Sequence, residues 1–177
     1  MIERTNTTTH TSRKRFDGSV VIRFREDYFF LSNMYPASFI DDTGIVWPTS
    51  EHFYQAYKAT VKIDFDQINQ ASDGKVSKEM AHKMPTRPDW DRVKLNVMKN
   101  ALKYKFSQNP ELAEKLEALY HTYLVEGNKW NDTTWGACMN IGQNHLGRQL
   151  MNLSKLLKFK KPLTAPAIKT YFQQNIR

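Results

Sequence analysis

Apolar and polar positions alternate on two different scales along this chain. Near the start, Val20-Val21-Ile22-Arg23-Phe24 is short and β-branched and predicts a first strand. Phe29-Phe30-Leu31 and Phe39-Ile40 flank a turn at Tyr35-Pro36, and Asp41-Asp42-Thr43-Gly44 reads as a hairpin turn into Ile45-Val46-Trp47. Helical spacing takes over after Pro48. Thr49 is the expected N-cap of a helix running to about Thr60, with Glu51 in its first turn. Short helices follow around Phe65–Ala71 and Ser77–Met84. A longer one opens at Arg87-Pro88-Asp89, with Trp90, Val93, Val97 and Ala101 on one face beside Leu102 and Phe106. Pro110 starts a helix through Tyr120, Thr122–Glu126 reads as a strand, and His145–Leu157 reads as the last helix. Strands first and helices later, without βαβ alternation, predict an α+β domain, mostly helical with a few short strands.

The ends differ from the body. Residues 1–18 are polar and aperiodic and are expected to form a flexible arm. Residues 19–157 are expected to form one compact domain, and 158–177 a basic C-terminal extension. The chain of 177 residues carries a formal charge of +8, of which +2 lies in residues 1–18 and +6 in 155–177, leaving the body neutral. Such a distribution suits solvated ends. A possible nucleic-acid partner contacting the C-terminal segment is the sharper alternative. One cysteine, Cys138, excludes an internal disulfide framework and a multi-cysteine zinc site, and it reads as structural. The five histidines show no metal-ligand spacing, and no phosphate-loop, dinucleotide or zinc-protease motif is present. No apolar run reaches the ~20 residues of a membrane span and no signal-peptide core is visible. A cytoplasmic protein without membrane association, metal or cofactor is therefore the expectation; its oligomeric state stays open.

Two segments attract chemical interest. If the first long helix continues to Thr60, Glu51, Gln55 and Lys58 share one of its faces, with Tyr54 and Tyr57 alongside. A carboxylate, an amide and an amine in line suit a ligand-facing stripe, and an exposed polar face fits the same spacing. The second is the long loop from Asn128 to Gln143. It sets Asp132, Asn131, Asn140 and the following Asn144 among Trp130 and Trp135, a mixture that suits heterocycles and ribose hydroxyls. Turn formation by Asp132 and helix capping by Asn144 account for those two residues equally well.

Taken together, the motifs resemble one family. Leu31-Ser32-Asn33-Met34-Tyr35-Pro36, the Trp47–Lys58 segment, Arg87-Pro88-Asp89-Trp90 and Lys105–Pro110 follow one another in its order. Leu124-Val125-Glu126, Asp132-Thr133-Thr134-Trp135-Gly136 and Asn144-His145-Leu146-Gly147 complete the series. The chain thus resembles the NADAR family of YbiA-like N-glycosidases from about Val20 to Leu157. The resemblance implies metal-independent hydrolysis of an N-ribosyl bond, in riboflavin-pathway intermediates or in ADP-ribose attached to guanine of nucleic acid. It implies Glu51, Lys58 and Asp132 as catalytic residues, Trp90 and Trp135 as base- or ribose-contacting aromatics, and Asn33, Tyr35 and Asn144 as pocket residues. Met34 replaces the usual aromatic and Tyr57 stands where Gln is common, which bears on the choice of base. An ADP-ribose or nucleotide reader without turnover is the competing class.

Overall fold

The computed structural model describes residues 20–21 and 23–159. The expected arm and nearly all of the basic extension lie outside these residues. The strands are β1 (Val20–Val21), β2 (Phe39–Ile40), β3 (Val46–Trp47), β4 (Tyr123–Leu124), β5 (Gly127–Asn128) and β6 (Ala137–Cys138). The helices are α1 (Ser50–Ala56), α2 (Lys62–Asn69), α3 (Gly74–His82), α4 (Trp90–Gln108), α5 (Pro110–Ala118) and α6 (His145–Phe159). The expected α+β class is what the structure shows: helices packed together, with three two-stranded pairs inserted among them. None of the described helices is long and apolar enough to cross a membrane.

The hairpin forms where turn chemistry places it, as the antiparallel pair β2–β3. Asp41 Oδ1 accepts hydrogen bonds from the Thr43 amide and hydroxyl and the Ile45 amide, while Oδ2 accepts from the Trp47 indole at 2.9 Å. Burial alone would raise the Asp41 pKa, but these donors hold it below the usual carboxylate value. One local expectation differs, and one pairing lay beyond what the sequence reading addressed. Phe29-Phe30-Leu31 belongs to a 3-10 helix, Glu26–Leu31, whose acidic first turn suits a helix start and which buries Phe30 and Leu31. β1 pairs in parallel with the distant β4 rather than with its sequence neighbour, the Val125 amide donating to the Val21 carbonyl at 2.8 Å.

At the centre lies α1, every residue of which is buried. Thr49 Oγ1 accepts from the Glu51 and His52 amides, as an N-cap should. The Ala71 carbonyl 3.1 Å from His52 Nε2 can only accept, so Nε2 carries the proton and Nδ1 accepts from the Thr49 hydroxyl. Burial lowers the His52 pKa and favours that neutral tautomer. One side of α1 presents Phe53, which packs edge-on to Trp47 and stacks on Tyr57 beyond the helix. The helix stops at Ala56, short of Thr60. Arg87 donates its amide to the Lys58 carbonyl, and Ala59 pairs with Thr86 across a β-bridge.

α4 carries the expected apolar face together with a residue that spacing assigned no role. Lys105 is fully buried, with Nζ 2.8 Å from the Ser32 carbonyl and over the Tyr35 ring. Desolvation pulls its pKa down to about 7. α6 packs on α4, α5 and β4, with Ser154 Oγ donating to the Leu116 carbonyl and Gln149 to the Leu95 carbonyl. Its Gly147 lies so close to β4 that a Cβ there would stand 2.2 Å from the Leu124 carbonyl oxygen.

Gly147→Ala is expected to push α6 off β4 and cost about 3 kcal/mol, the upper end for overpacking, read as a lowered unfolding midpoint in urea. Lys105 gives a pH signature. Between about pH 7 and its unfolded pKa near 10.4 the native state holds the proton less than the unfolded chain does, so stability rises with pH. Wild type should therefore gain stability relative to Lys105→Met as pH is raised from 7 to 9, measured by denaturant titration at each pH.

Candidate active site

A cavity of about 630 Å³ opens on the side of α1 opposite Phe53. One of its walls is α1 itself. Glu51 and Gln55, one turn apart, both face it and are almost fully buried, with Gln55 Nε2 donating to Glu51 Oε1 at 2.6 Å. The polar stripe is therefore an interior face lining a cavity. Its third member arrives differently. Lys58 lies in the turn after α1, where the bond from Arg87 to its carbonyl redirects the chain, and its ammonium sits over the rings of Tyr54 and Trp90.

Electrostatics in this space are far from those of water. Burial raises the pKa of Glu51, opposed by the Gln55 amide and by Lys78 and Lys58, and reinforced by Asp132. Burial lowers that of Lys58, against the attraction of Glu51 and with the repulsion of Lys78. Both groups are thus held closer to their neutral forms than they would be in solvent. Lys78 and His82 stand one turn apart on α3 and line the same cavity. His82 is pushed down by burial and by the charges of Lys58 and Lys78. Among the described residues no carboxylate is hydrogen-bonded to Lys58, Lys78 or His82, although Glu51 acts on both lysines through space.

The loop after β5 supplies the opposite wall. β5 and β6 pair in parallel within it. Asp132 is gripped at both ends of its backbone by Asn128, and its Oδ1 accepts from the amides of Thr134 and Trp135 at 3.0 and 2.8 Å. The first amides of α6 close the loop, His145 and Leu146 donating to the carbonyls of Thr134 and Trp135. Asp132 consequently forms the turn and lines the cavity at once. Trp135 donates its indole to the Tyr54 hydroxyl at 3.1 Å, and Tyr54 packs between Trp135 and Trp90. Burial raises the Tyr54 pKa well above that of a free phenol, which keeps the hydroxyl protonated.

Of the residues singled out from sequence, Glu51, Lys58, Asp132, Asn33, Trp90 and Trp135 meet at this cavity. Trp90 is mostly buried, so little of its face is free. Tyr35 and Asn144 are placed elsewhere. Tyr35 packs edge-on to Phe29 and lines a separate depression beside Phe30 and Lys115. Asn144 starts α6 with φ at +50°, and its amide bridges to β4, Nδ2 donating to the Leu124 carbonyl and Oδ1 accepting from the Glu126 amide. Sequence reasoning passed over Arg25, gave Glu126 no role and named Trp130 only among the aromatics of the loop; all three line the cavity. Trp130 is 55% exposed, with the Arg25 guanidinium 5.9 Å from its ring centroid. A tryptophan in an Asn- and Gly-rich loop was the signal that drew attention to Trp130. Glu126 had none, because an acid after a short strand is commonplace. Among the described residues no three His, Cys, Asp or Glu side chains are grouped so as to hold a metal ion.

Known proteins share this arrangement of chain. A model of the NADAR domain family matches residues 22–158. The N-glycosidase YbiA of Shigella flexneri is 38% identical over 139 residues, covering 77% of this chain and 86% of its own. A protein of Vibrio vulnificus named for riboflavin biosynthesis is 35% identical over 142 residues, covering 77% of this chain and 38% of its own length. The NMR structure of the Escherichia coli protein YbiA superposes with a TM-score of 0.74 at 34% identity, over 82% of this chain and 89% of that one. In sequence and in fold alike, this chain belongs to the NADAR family.

Proposed function

We propose that this chain is an N-glycosidase that hydrolyses the bond between a ribose carbon and the nitrogen of a heterocyclic base in a phosphorylated N-riboside, of the kind found among riboflavin-pathway intermediates. The observation that carries the reading is the convergence of Glu51, Asp132 and Lys58 on one cavity beside the Tyr54–Trp135 pair. The likeness to proteins named N-glycosidase and riboflavin biosynthesis protein supports it.

Breaking a C–N glycosidic bond develops positive charge at the anomeric carbon and negative charge on the departing base. Glu51, held by the Gln55 amide, is placed to stabilise the first as a carboxylate and to take a proton from attacking water. Asp132 has one oxygen occupied by backbone amides, which leaves the other to orient water or a ribose hydroxyl. Lys58 offers a second nucleophile. With its pKa lowered, its amine can attack C1 of the ring-opened sugar, where C1 is still joined to the base nitrogen as an iminium; expulsion of the base then leaves a Schiff base between C1 and Lys58 that water hydrolyses. The unpaired basic cluster of Lys58, Lys78 and His82 suits a phosphate. Aromatic surface at Trp135 and Trp130 suits the base, each stacked ring contributing about 1–3 kcal/mol.

The test is base release, followed by mass spectrometry, from a panel of aminouracil and aminopyrimidine riboside phosphates, ADP-ribose, NAD and an oligonucleotide ADP-ribosylated on guanine. Release from the pyrimidine ribosides alone is expected. Restored guanine in the oligonucleotide would instead assign reversal of nucleic-acid ADP-ribosylation. Glu51→Ala should lower kcat by at least ~100-fold while a substrate analogue still binds; a chain that binds and never turns over any member would be a reader. Borohydride added during turnover separates the two nucleophiles. A trapped adduct that disappears in Lys58→Ala means the Schiff base, and continued turnover without any adduct means water.

A further inference from the structure

Among the acids lining the cavity, Glu126 stands out by how its backbone is held. Its amide donates to Asn144 Oδ1 at 3.1 Å, and its carbonyl accepts from the Ala137 amide at 2.9 Å. The residue before it is tied to Val21, and the carbonyl two residues before it accepts from Asn144 Nδ2. Gly136 and Gly147 allow this approach. A Cβ at Gly136 would lie 2.0 Å from the Glu126 carbonyl oxygen, and one at Gly147 would lie 2.6 Å from Asn144 Oδ1. Three separate segments, at Val21, Gly136–Ala137 and Asn144–Gly147, thus fix the backbone that carries Glu126. The side chain it carries is then left unsatisfied: Glu126 Oε2 is buried and accepts no hydrogen bond among the described residues.

We propose that Glu126 is the general acid of the reaction, holding a proton in the resting site and delivering it to the departing base. The inference rests on the N-glycosidase reading above. Three acids share the cavity and their surroundings differ. Glu51 accepts from Gln55 and Asp132 accepts from two backbone amides. Glu126 has no such donor. The charged groups around it are Asp132 in the loop, Arg25 ahead of the 3-10 helix and Glu51 on α1. Burial first, then the two acids, raise its pKa to about 7, and Arg25 only partly opposes them. An orphaned oxygen beside two other acids is costly as an anion and comfortable as a protonated carboxyl.

In the step itself the C1′–N bond breaks with its electron pair passing to the base, and that base gains the Glu126 proton. C1′ gains the water oxygen, and the water's proton goes to Glu51. The Glu126 carboxylate is then reprotonated from solvent as Glu51 gives up its proton. If Lys58 attacks instead, the departing base still needs the same proton.

The test combines kinetics with a readout that needs no substrate. In the full chain labelled with ¹³C at glutamate carboxyls, one resonance should titrate near pH 7 and vanish in Glu126→Gln. A Glu126 carboxyl ionised across pH 5 to 8 overturns the proposal. On whichever substrate the wild type turns over, kcat should fall above about pH 7. Glu126→Gln should lose at least ~100-fold in kcat together with that alkaline limb, and Glu126→Asp should recover part of the rate with the limb restored. Wild-type turnover with unchanged rate and pH profile in Glu126→Gln sinks the general acid alone. No turnover by the wild type on any panel member sinks the glycosidase reading and the general acid with it.

Discussion

A helix of seven residues with no outward face, α1, sets the terms for the rest of the molecule. A helix this short has little stability of its own and depends on tertiary packing. It must also satisfy its polar groups away from bulk water. Thr49 and His52 do this at one end by a relay that reaches the Ala71 carbonyl, tying α1 to the end of α2. Asn33 does it again by accepting the Glu51 amide on its backbone carbonyl. Once α1 is held, the Phe53 side joins the aromatic core and the Glu51–Gln55 side has only the cavity to face.

Buried polar atoms are treated unequally across the fold. Asp41, His52, Lys105 and Asn144 all find partners within the protein, and each joins two segments that are distant or need a fixed turn. Asn33 Oδ1, Gln55 Oε1 and Glu126 Oε2 find none among the described residues, and all three residues line the same cavity. Unmade hydrogen bonds inside a protein cost roughly 1–3 kcal/mol each. Ser50 Oγ, Asn69 Oδ1 and Gln149 Oε1 are unpaired elsewhere, but at the cavity three acceptors lie together, so a ligand with several N–H and O–H donors regains there what the fold leaves unmade.

Much of this was legible in the sequence, for reasons that can be named. Turn chemistry placed the Asp41–Gly44 hairpin, the Thr49 cap located the start of α1, and helical spacing found the buried face of α4. Boundaries were less visible. The end of α1 depends on Arg87, some thirty residues away, so the helix seemed able to run on and Lys58 was placed on it. Phe29-Phe30-Leu31 satisfies a strand pattern and a 3-10 turn equally over three residues. Asn144 illustrates the limit at the site. Its position at a helix start suggested a cap or a ligand contact, and its actual partners, Leu124 and Glu126, are set by how α6 packs on β4. Glu126 itself was quoted only as part of a motif, because nothing local marks a carboxyl whose significance comes from three remote clamps.

The pairing of β1 with β4 has a consequence for how the protein is made. Val21 and Val125 are about a hundred residues apart, yet their hydrogen bond fixes the wall from which Glu126 projects. Contacts of such long sequence separation form late, after much of the chain has lost its freedom. During synthesis α1 and its aromatic neighbours can assemble around Trp47 while the later segments are still to come. The acid-bearing wall has to wait for β4, β6 and α6. The cavity therefore comes together only when synthesis of the domain is nearly over, and a nascent chain stalled before α6 would carry half of it.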